Sequence, residues 1–188
     1  MLLELLSGDD PACWAALGFD VDDGTLRVGP VTVRCDRQGG GIRGWTLRGA
    51  AGPREVSGIP TSWSETEPGE HGTFGLDHVV LFTGRLDASV ADLVAAGGDE
   101  RRRMTQPQTG AALAFVRLGE VMLEVAEREG PPMLWGLVAV VEDLASLPGE
   151  LVGTPRDAVQ PGRQIVTARR QDGLGTALAF MTPRVRTR

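Results

Sequence analysis

Apolar runs in this chain are short, and most of them stop at a glycine or a proline. Residues 76–82 read Leu-Asp-His-Val-Val-Leu-Phe, which predicts a strand covered on both faces. Val90, Leu93 and Val94 then recur at helical spacing behind the cap candidates Asp87 and Ser89, and Gly97-Gly98 ends that run. Residues 111–118 and 121–126 predict two strands with only Gly119-Glu120 between them. Glycine first in a two-residue turn suits a type II′ hairpin. That turn pairs Leu118 with Val121, Arg117 with Met122 and Phe115 with Glu124. Alternation along the earlier strand puts His78 on the face of Val80 and Phe82.

The pattern then recurs. Residues 134–141 predict a strand, a shorter helix follows Asp143 and stops at Pro148-Gly149, and residues 163–170 and 176–181 predict strands around a turn at 172–175. From His78 to Gly136 the period is about 58 residues. The histidine of the first copy is a glycine in the second. Near the N-terminus, residues 2–6 predict a strand. Residues 11–17 predict a short helix capped by Asp9 or Asp10, with Pro11 in its first turn. Residues 26–28 and 31–33 flank Gly29-Pro30 as a further strand pair, and residues 42–47 predict one more strand. Residues 49–73, rich in Gly, Pro, Ser and Glu, read as a linker. The expected organisation is an abbreviated βαββ module over residues 1–50, a linker over 51–73, and βαβββ modules over 74–130 and 131–188 that together form one domain.

Composition narrows the function. The 188 residues are 41% hydrophobic and 23% charged, as in a soluble globular protein. The net charge of −6 argues against nucleic acid as a partner, because phosphate contacts rest on Lys and Arg. The basic stretch 101–103 and the tail 184–188 read as a solvated face and a frayed end. No apolar run approaches the ~20 residues of a membrane helix, and the N-terminus lacks the basic region of a signal peptide. Cys13 and Cys35 fit no metal spacing; two thiols and no framework suit a reducing cytoplasm. Lys, Asn and Tyr are absent, which fits a GC-rich genome.

Tandem modules that open on Leu-Asp-His-Val-Val and close on a Glu-bearing strand resemble the vicinal oxygen chelate superfamily, which includes glyoxalase I, the extradiol dioxygenases and the bleomycin-resistance proteins. The stretch 155–163 is similar to one in bacterial glyoxalase-like proteins. The resemblance implies an α+β fold whose βαβββ modules form an open, curled, mixed sheet. It also implies a divalent metal on the concave side, held by a His from each module's first strand and an acidic residue or His from its last. On this chain that gives His78 and Glu124. The second module has Gly136 at the His position and Phe180, or Ala179 in another register, at the Glu position. The N-terminal copy has Arg34 at the Glu position.

Several roles are open to these residues. His78 suits a neutral core histidine, a ligand contact or a metal ligand. Glu124 suits an ion pair with Arg117, ligand recognition or metal binding. Asp77 reads as polar because it sits at the strand's edge, Arg163 and Arg169 read as solvent-exposed cations within reach of an anion, and Trp63 reads as a loop anchor near a cavity mouth. The leading expectation is a glyoxalase-like protein that binds a small apolar or aromatic molecule without a complete metal site. Its cavity would be lined by His78, Phe115, Arg117, Met122, Glu124, Trp135 and Phe180. The alternative is a metal-dependent lyase, isomerase or dioxygenase. Two chains would then pair as a homodimer and combine two His78 and two Glu124 around Ni, Zn, Fe or Mn. A third reading is an interaction module with its sheet edge covered.

Overall fold

The computed structural model describes residues 1–107 and 109–184. It begins with strand β1 (Leu2–Ser7), helix α1 (Pro11–Ala16) and strands β2 (Val21–Asp22), β3 (Thr25–Val28) and β4 (Val31–Cys35). Asp10 caps α1, its Oδ1 accepting the Ala12 N–H at 3.0 Å, and Pro11 takes the first turn, where its missing N–H costs nothing. Strands β5 (Ile42–Arg48), β6 (Glu55–Val56) and β7 (Ile59–Ser64) follow. The stretch expected as a linker therefore carries two strands. Ser57 and Gly58 both take positive φ, 54° and 75°, and turn β6 back onto β7 in two residues. The Gly and Pro richness that suggested a linker marks tight turns inside a sheet.

The second half contains β8 (Gly75–Thr83), α2 (Leu86–Ala95), β9 (Asp99–Thr105), β10 (Ala112–Leu118) and β11 (Val121–Glu127). It continues with β12 (Met133–Val140), a 3₁₀ turn at Leu144–Ser146, β13 (Arg156–Asp157), β14 (Gln164–Thr167) and β15 (Ala177–Met181). The β10–β11 hairpin turns at Gly119-Glu120, with Gly119 at φ 70°, and pairs Phe115 with Glu124 and Arg117 with Met122. The helix expected after Asp143 is only the 3₁₀ turn, capped by Asp143 Oδ1. Strand β9 was not foreseen. Its exposed DERRRMT sequence has no apolar alternation, and pairing with β10 holds it in place.

The strands form two open mixed sheets. One runs β2-β3-β4-β1-β5-β7-β6; the other, read from its β9 edge, runs β9-β10-β11-β8-β12-β15-β14-β13. The seven strands of the first correspond in order to β9 through β14 of the second, and β13 has no counterpart. In each sheet the two central strands, β1/β5 and β8/β12, run antiparallel, and each takes the last strand of its own module in parallel. The modules thus pair within one chain, and the N-terminal half repeats the architecture of the C-terminal half with shorter parts.

One apolar core serves both sheets. Leu5, Trp45 and Leu47 of the first join Val79, Leu81, Leu137, Ala139 and Phe180 of the second, with Trp14 of α1 and Leu93 of α2. The second module of the first half lacks a helix, and the second module of the other half has only the 3₁₀ turn. Each sheet covers the apolar face that those helices would otherwise cover, with β5 against β12. Asp9, fully buried, links the halves by accepting from Trp14 Nε1 at 3.2 Å, Gly175 N at 2.7 Å and Thr176 N at 3.2 Å.

Candidate anion-binding cavity

The face of the second sheet turned away from the shared core carries His78, Val80 and Phe82 of β8 and Met122, Glu124 and Ala126 of β11. Phe115 and Arg117 of β10 and Val138 of β12 lie on the same face. Three irregularities change what this face displays. On β8, His78 pairs with Val138 but Leu76 pairs with Ala139, so Asp77 is an extra, bulged residue. A bulge breaks alternation, and the Asp77 carboxylate turns to the side of its neighbour. His78 Nδ1 donates to Asp77 Oδ2 at 2.8 Å. On β9, Arg101 is extra between Arg102, opposite Phe115, and Glu100, opposite Val116. On β12, Trp135 is extra between Leu134 and Gly136.

A cavity of about 450 Å³ lies over the β8–β9 end of this face, within the range of small-molecule sites. Four arginines line it, Arg101, Arg102, Arg163 and Arg184, together with Asp77 and His78. Phe115, Met122 and Pro161 give it an apolar part. The Arg102 guanidinium sits 4.4 Å from the centre of the Phe115 ring, a stacked cation–π pair. Arg163 donates to Thr182 O at 2.6 Å, to Gln160 Oε1 at 3.1 Å and to Asp77 Oδ1. It is buried at 3% exposure, where the sequence suggested a solvated cation, and the Asp77 side chain is 7% exposed and turned inward rather than at a strand edge.

Burial, the largest single influence on Asp77, pushes its pKa up. Hydrogen bonds from His78 and Arg163, with their charges, outweigh it and hold the carboxyl at about 2. The neutral thiol has little nucleophilic use: burial first, then Asp9, Asp36 and Asp10, pushes Cys35 up to about 12. A second hollow of about 540 Å³ lies between the end of α2 and β6–β7, with Trp63 at its wall. Its lining is largely small residues such as Ala51, Gly52 and Ala95, and the Trp63 indole N–H is spent on Pro53 O. The smaller cavity brings four arginines together; the lining of the larger one has two carboxylates, Glu55 and Asp92, and no cation.

Of the residues singled out in the sequence, Asp77, His78, Phe115, Met122 and Arg163 line the cavity. Glu124 stands beside His78, Oε2 to Nε2 at 3.8 Å, too far for a hydrogen bond. Arg117 shares their face, is exposed, and forms no ion pair with Glu124 among the described residues. Trp135 is half exposed and stacks on Phe82 at 5.1 Å. Phe180 lies on the opposite face, fully buried against Phe19 and Phe74. Ala179, paired with Val138 as Glu124 is paired with Val80, takes the position for which Phe180, or Ala179 in the other register, was expected. Strand position alone left that register open by one residue, and one residue exchanges the two faces. The sequence missed Arg101, Arg102, Gln160 and Arg184. Three consecutive arginines were its only signal for the first two, and their meaning depends on the β9 bulge.

The pairs His78–Val138 and Val80–Gly136 exchange under the internal repeat, as expected of two modules related by a twofold. The fold is glyoxalase-like. The same relation holds in the first sheet, where Glu4–Thr46 and Leu6–Gly44 are the exchanging pairs and Arg34 pairs with Leu6. There a Glu4–Arg34 ion pair at 2.7 Å replaces His78–Glu124, and Gly44 matches Gly136. Solved structures similar to this chain include methylmalonyl-CoA epimerase from Mycobacterium tuberculosis, at 16% identity over 58% of this chain and 88% of that one, with a TM-score of 0.48. A hypothetical protein from Bacillus halodurans C-125 matches at 15% identity over 62% and 99%, TM-score 0.49. A Streptomyces coelicolor methylmalonyl-CoA epimerase variant in complex with 2-nitronate-propionyl-CoA matches at 17% identity over 57% and 92%, TM-score 0.45. No protein-family model and no curated protein matches the sequence.

The residues at the fold's metal position do not fit a catalytic metal. His78 and Glu124 are two donors, and Gly136 and Ala179 supply none; such sites take three protein ligands. No group of three or more His, Cys, Asp or Glu among the described residues could hold an ion. Gly136 is moreover closed to a side chain, since a Cβ there would stand 1.8 Å from Ala177 O. No described helix is long and apolar enough to cross a membrane.

Proposed function

We propose that the protein binds a small organic anion in the concave cavity of its C-terminal half, with the anion's apolar or aromatic part on Phe115, Met122 and Pro161. The observation that supports this most directly is the convergence of four arginines on one cavity in a chain whose net charge is −6. A cationic pocket on an anionic molecule focuses the field at one place. Planar guanidinium groups match carboxylate and phosphate oxygens in pairs. Arg163, already held by three protein acceptors, shapes the wall, and Arg102 and Arg184 remain for the ligand.

Thermal shift with benzoate, 3-phenylpropionate and phenyl phosphate, against benzamide and benzyl alcohol, tests this reading. The anions are expected to raise Tm and the neutral analogues not. Arg102→Ala is expected to weaken anion binding about tenfold or more, the loss of one charge-assisted contact. Equal shifts from neutral analogues, or none from any anion, would reject it. The alternative of a metal enzyme completed across a homodimer finds no support in the cavity. A partner's His78 and Glu124 would have to occupy the place that Gly136 and Ala179 of the same chain already fill.

A further inference from the structure

Arginines in and around the cavity differ in what already neutralises them, and given the anion-binding reading above that difference narrows the ligand. Arg163 is paired with Asp77, and Arg101 with Asp99 at 2.7 Å. Arg103, the next arginine of β9 and outside the lining, is held by Glu100 at 2.5 Å and by Asp87. Arg102 and Arg184 are the exceptions. Among the described residues neither has a carboxylate partner. Glu124 has its charged neighbour in His78, at 3.8 Å, and is not part of the lining. Two positive charges therefore stand uncompensated in one cavity, and either form of His78 leaves that excess positive.

The two cations come from separate elements. Arg102 lies on β9, and Arg184 follows β15. The Phe115 ring, 4.4 Å from the Arg102 guanidinium, holds that side chain through its π face and supplies no counter-charge, so the in-plane N–H groups stay available. A guanidinium takes a pair of anionic oxygens at a time. A monoanion has one charge for both groups to share; a dianion has one for each. Repulsion between two unpaired cations in a partly enclosed site adds to the preference, because only a doubly charged ligand cancels both.

We propose that the ligand is a dianion, a phosphate monoester or a dicarboxylate, attached to an apolar or aromatic group. Its two negative charges meet Arg102 and Arg184, and its apolar part lies on Phe115, Met122 and Pro161. Arg101 and Arg163, each with its own carboxylate, shape the walls and leave the charge preference to the other two.

Calorimetric titration of the full chain at about pH 8, above the second phosphate pKa of about 6, compares ligands that differ by one charge. Phenyl phosphate and phenyl sulfate share their shape and their oxygens, and the first carries the extra charge. 2-Phenylsuccinate and 3-phenylbutanoate differ by a carboxylate in place of a methyl group. At least one dianion is expected to bind about tenfold or more tightly than its monoanionic counterpart, as one further charge-assisted contact gives. A preference confined to the phosphate assigns the site to phosphate monoesters, and one confined to the succinate assigns it to dicarboxylates. Arg102→Gln and Arg184→Gln, both at exposed residues, are each expected to lower that ratio to about threefold or less, with circular dichroism checking that the variants fold. Equal affinity within both pairs of ligands overturns the dianion while the anion site stands. A preference that neither variant lowers also overturns it, because the second charge then meets other groups. Failure of all these ligands to bind removes the anion-binding reading and this inference with it.

Discussion

Gly136 shows at the scale of one residue why the second module has no histidine. A Cβ at that position meets Ala177 O at 1.8 Å and Ala177 C at 2.6 Å, both backbone atoms of the neighbouring strand. Gly136→Ala is expected to destabilise the protein by about 1–3 kcal/mol, as overpacking against backbone does, and Gly136→His by more. Urea denaturation checks this; a neutral Gly136→Ala would mean that β15 moves away freely. Asp77 gives the second prediction. Its pKa of about 2 lies below the ordinary carboxyl value. Stability from this group is therefore present above about pH 4 and is lost as pH falls towards 2, on the order of 2 kcal/mol in all. Asp77→Asn should flatten the acid limb of the stability–pH curve over that window and free the His78 ring to reorient, which its NMR tautomer signals would show.

Single strands and hairpins were legible in the sequence wherever local chemistry alone decides. The two-residue Gly119-Glu120 turn left one register for β10 and β11, and with it the Phe115–Glu124 and Arg117–Met122 pairs. Irregular strands were not legible. A bulge arises from pairing with a second strand, so Asp77, Arg101 and Trp135 carry no local mark of the face they take. Phe180 fell on the wrong face for a related reason: β15 is placed by β12 rather than by a hairpin of fixed length. Phe180→Ala is expected to cost about 3–5 kcal/mol in stability, as removal of a buried aromatic does, and to leave anion affinity unchanged in protein that remains folded. A loss of affinity larger than the loss of stability explains would return Phe180 to the site.

Across the whole molecule, two sheets share one apolar core, and neither half covers its inner face alone. Thermal unfolding of the full chain is accordingly expected to be one cooperative transition. Asp9 sits at the junction, fully buried, and Asp9→Ala leaves three donors without their acceptor. A loss on the order of 3 kcal/mol is expected by calorimetry, and two separate transitions in the parent protein would refute the shared core. The resemblance implied His78 beside Glu124; the sequence by itself determined the two C-terminal modules, the register of the β10–β11 hairpin and the loss of a second histidine. These follow from apolar period and turn chemistry, which act over a few residues. Only the tertiary structure decided that the cavity is lined by arginines, that Asp77 fixes His78, that Ala179 rather than Phe180 faces the site, and that the helix-poor modules lie under each other's sheets. Those depend on which strands lie side by side, and side-by-side placement is settled by burial across the whole chain.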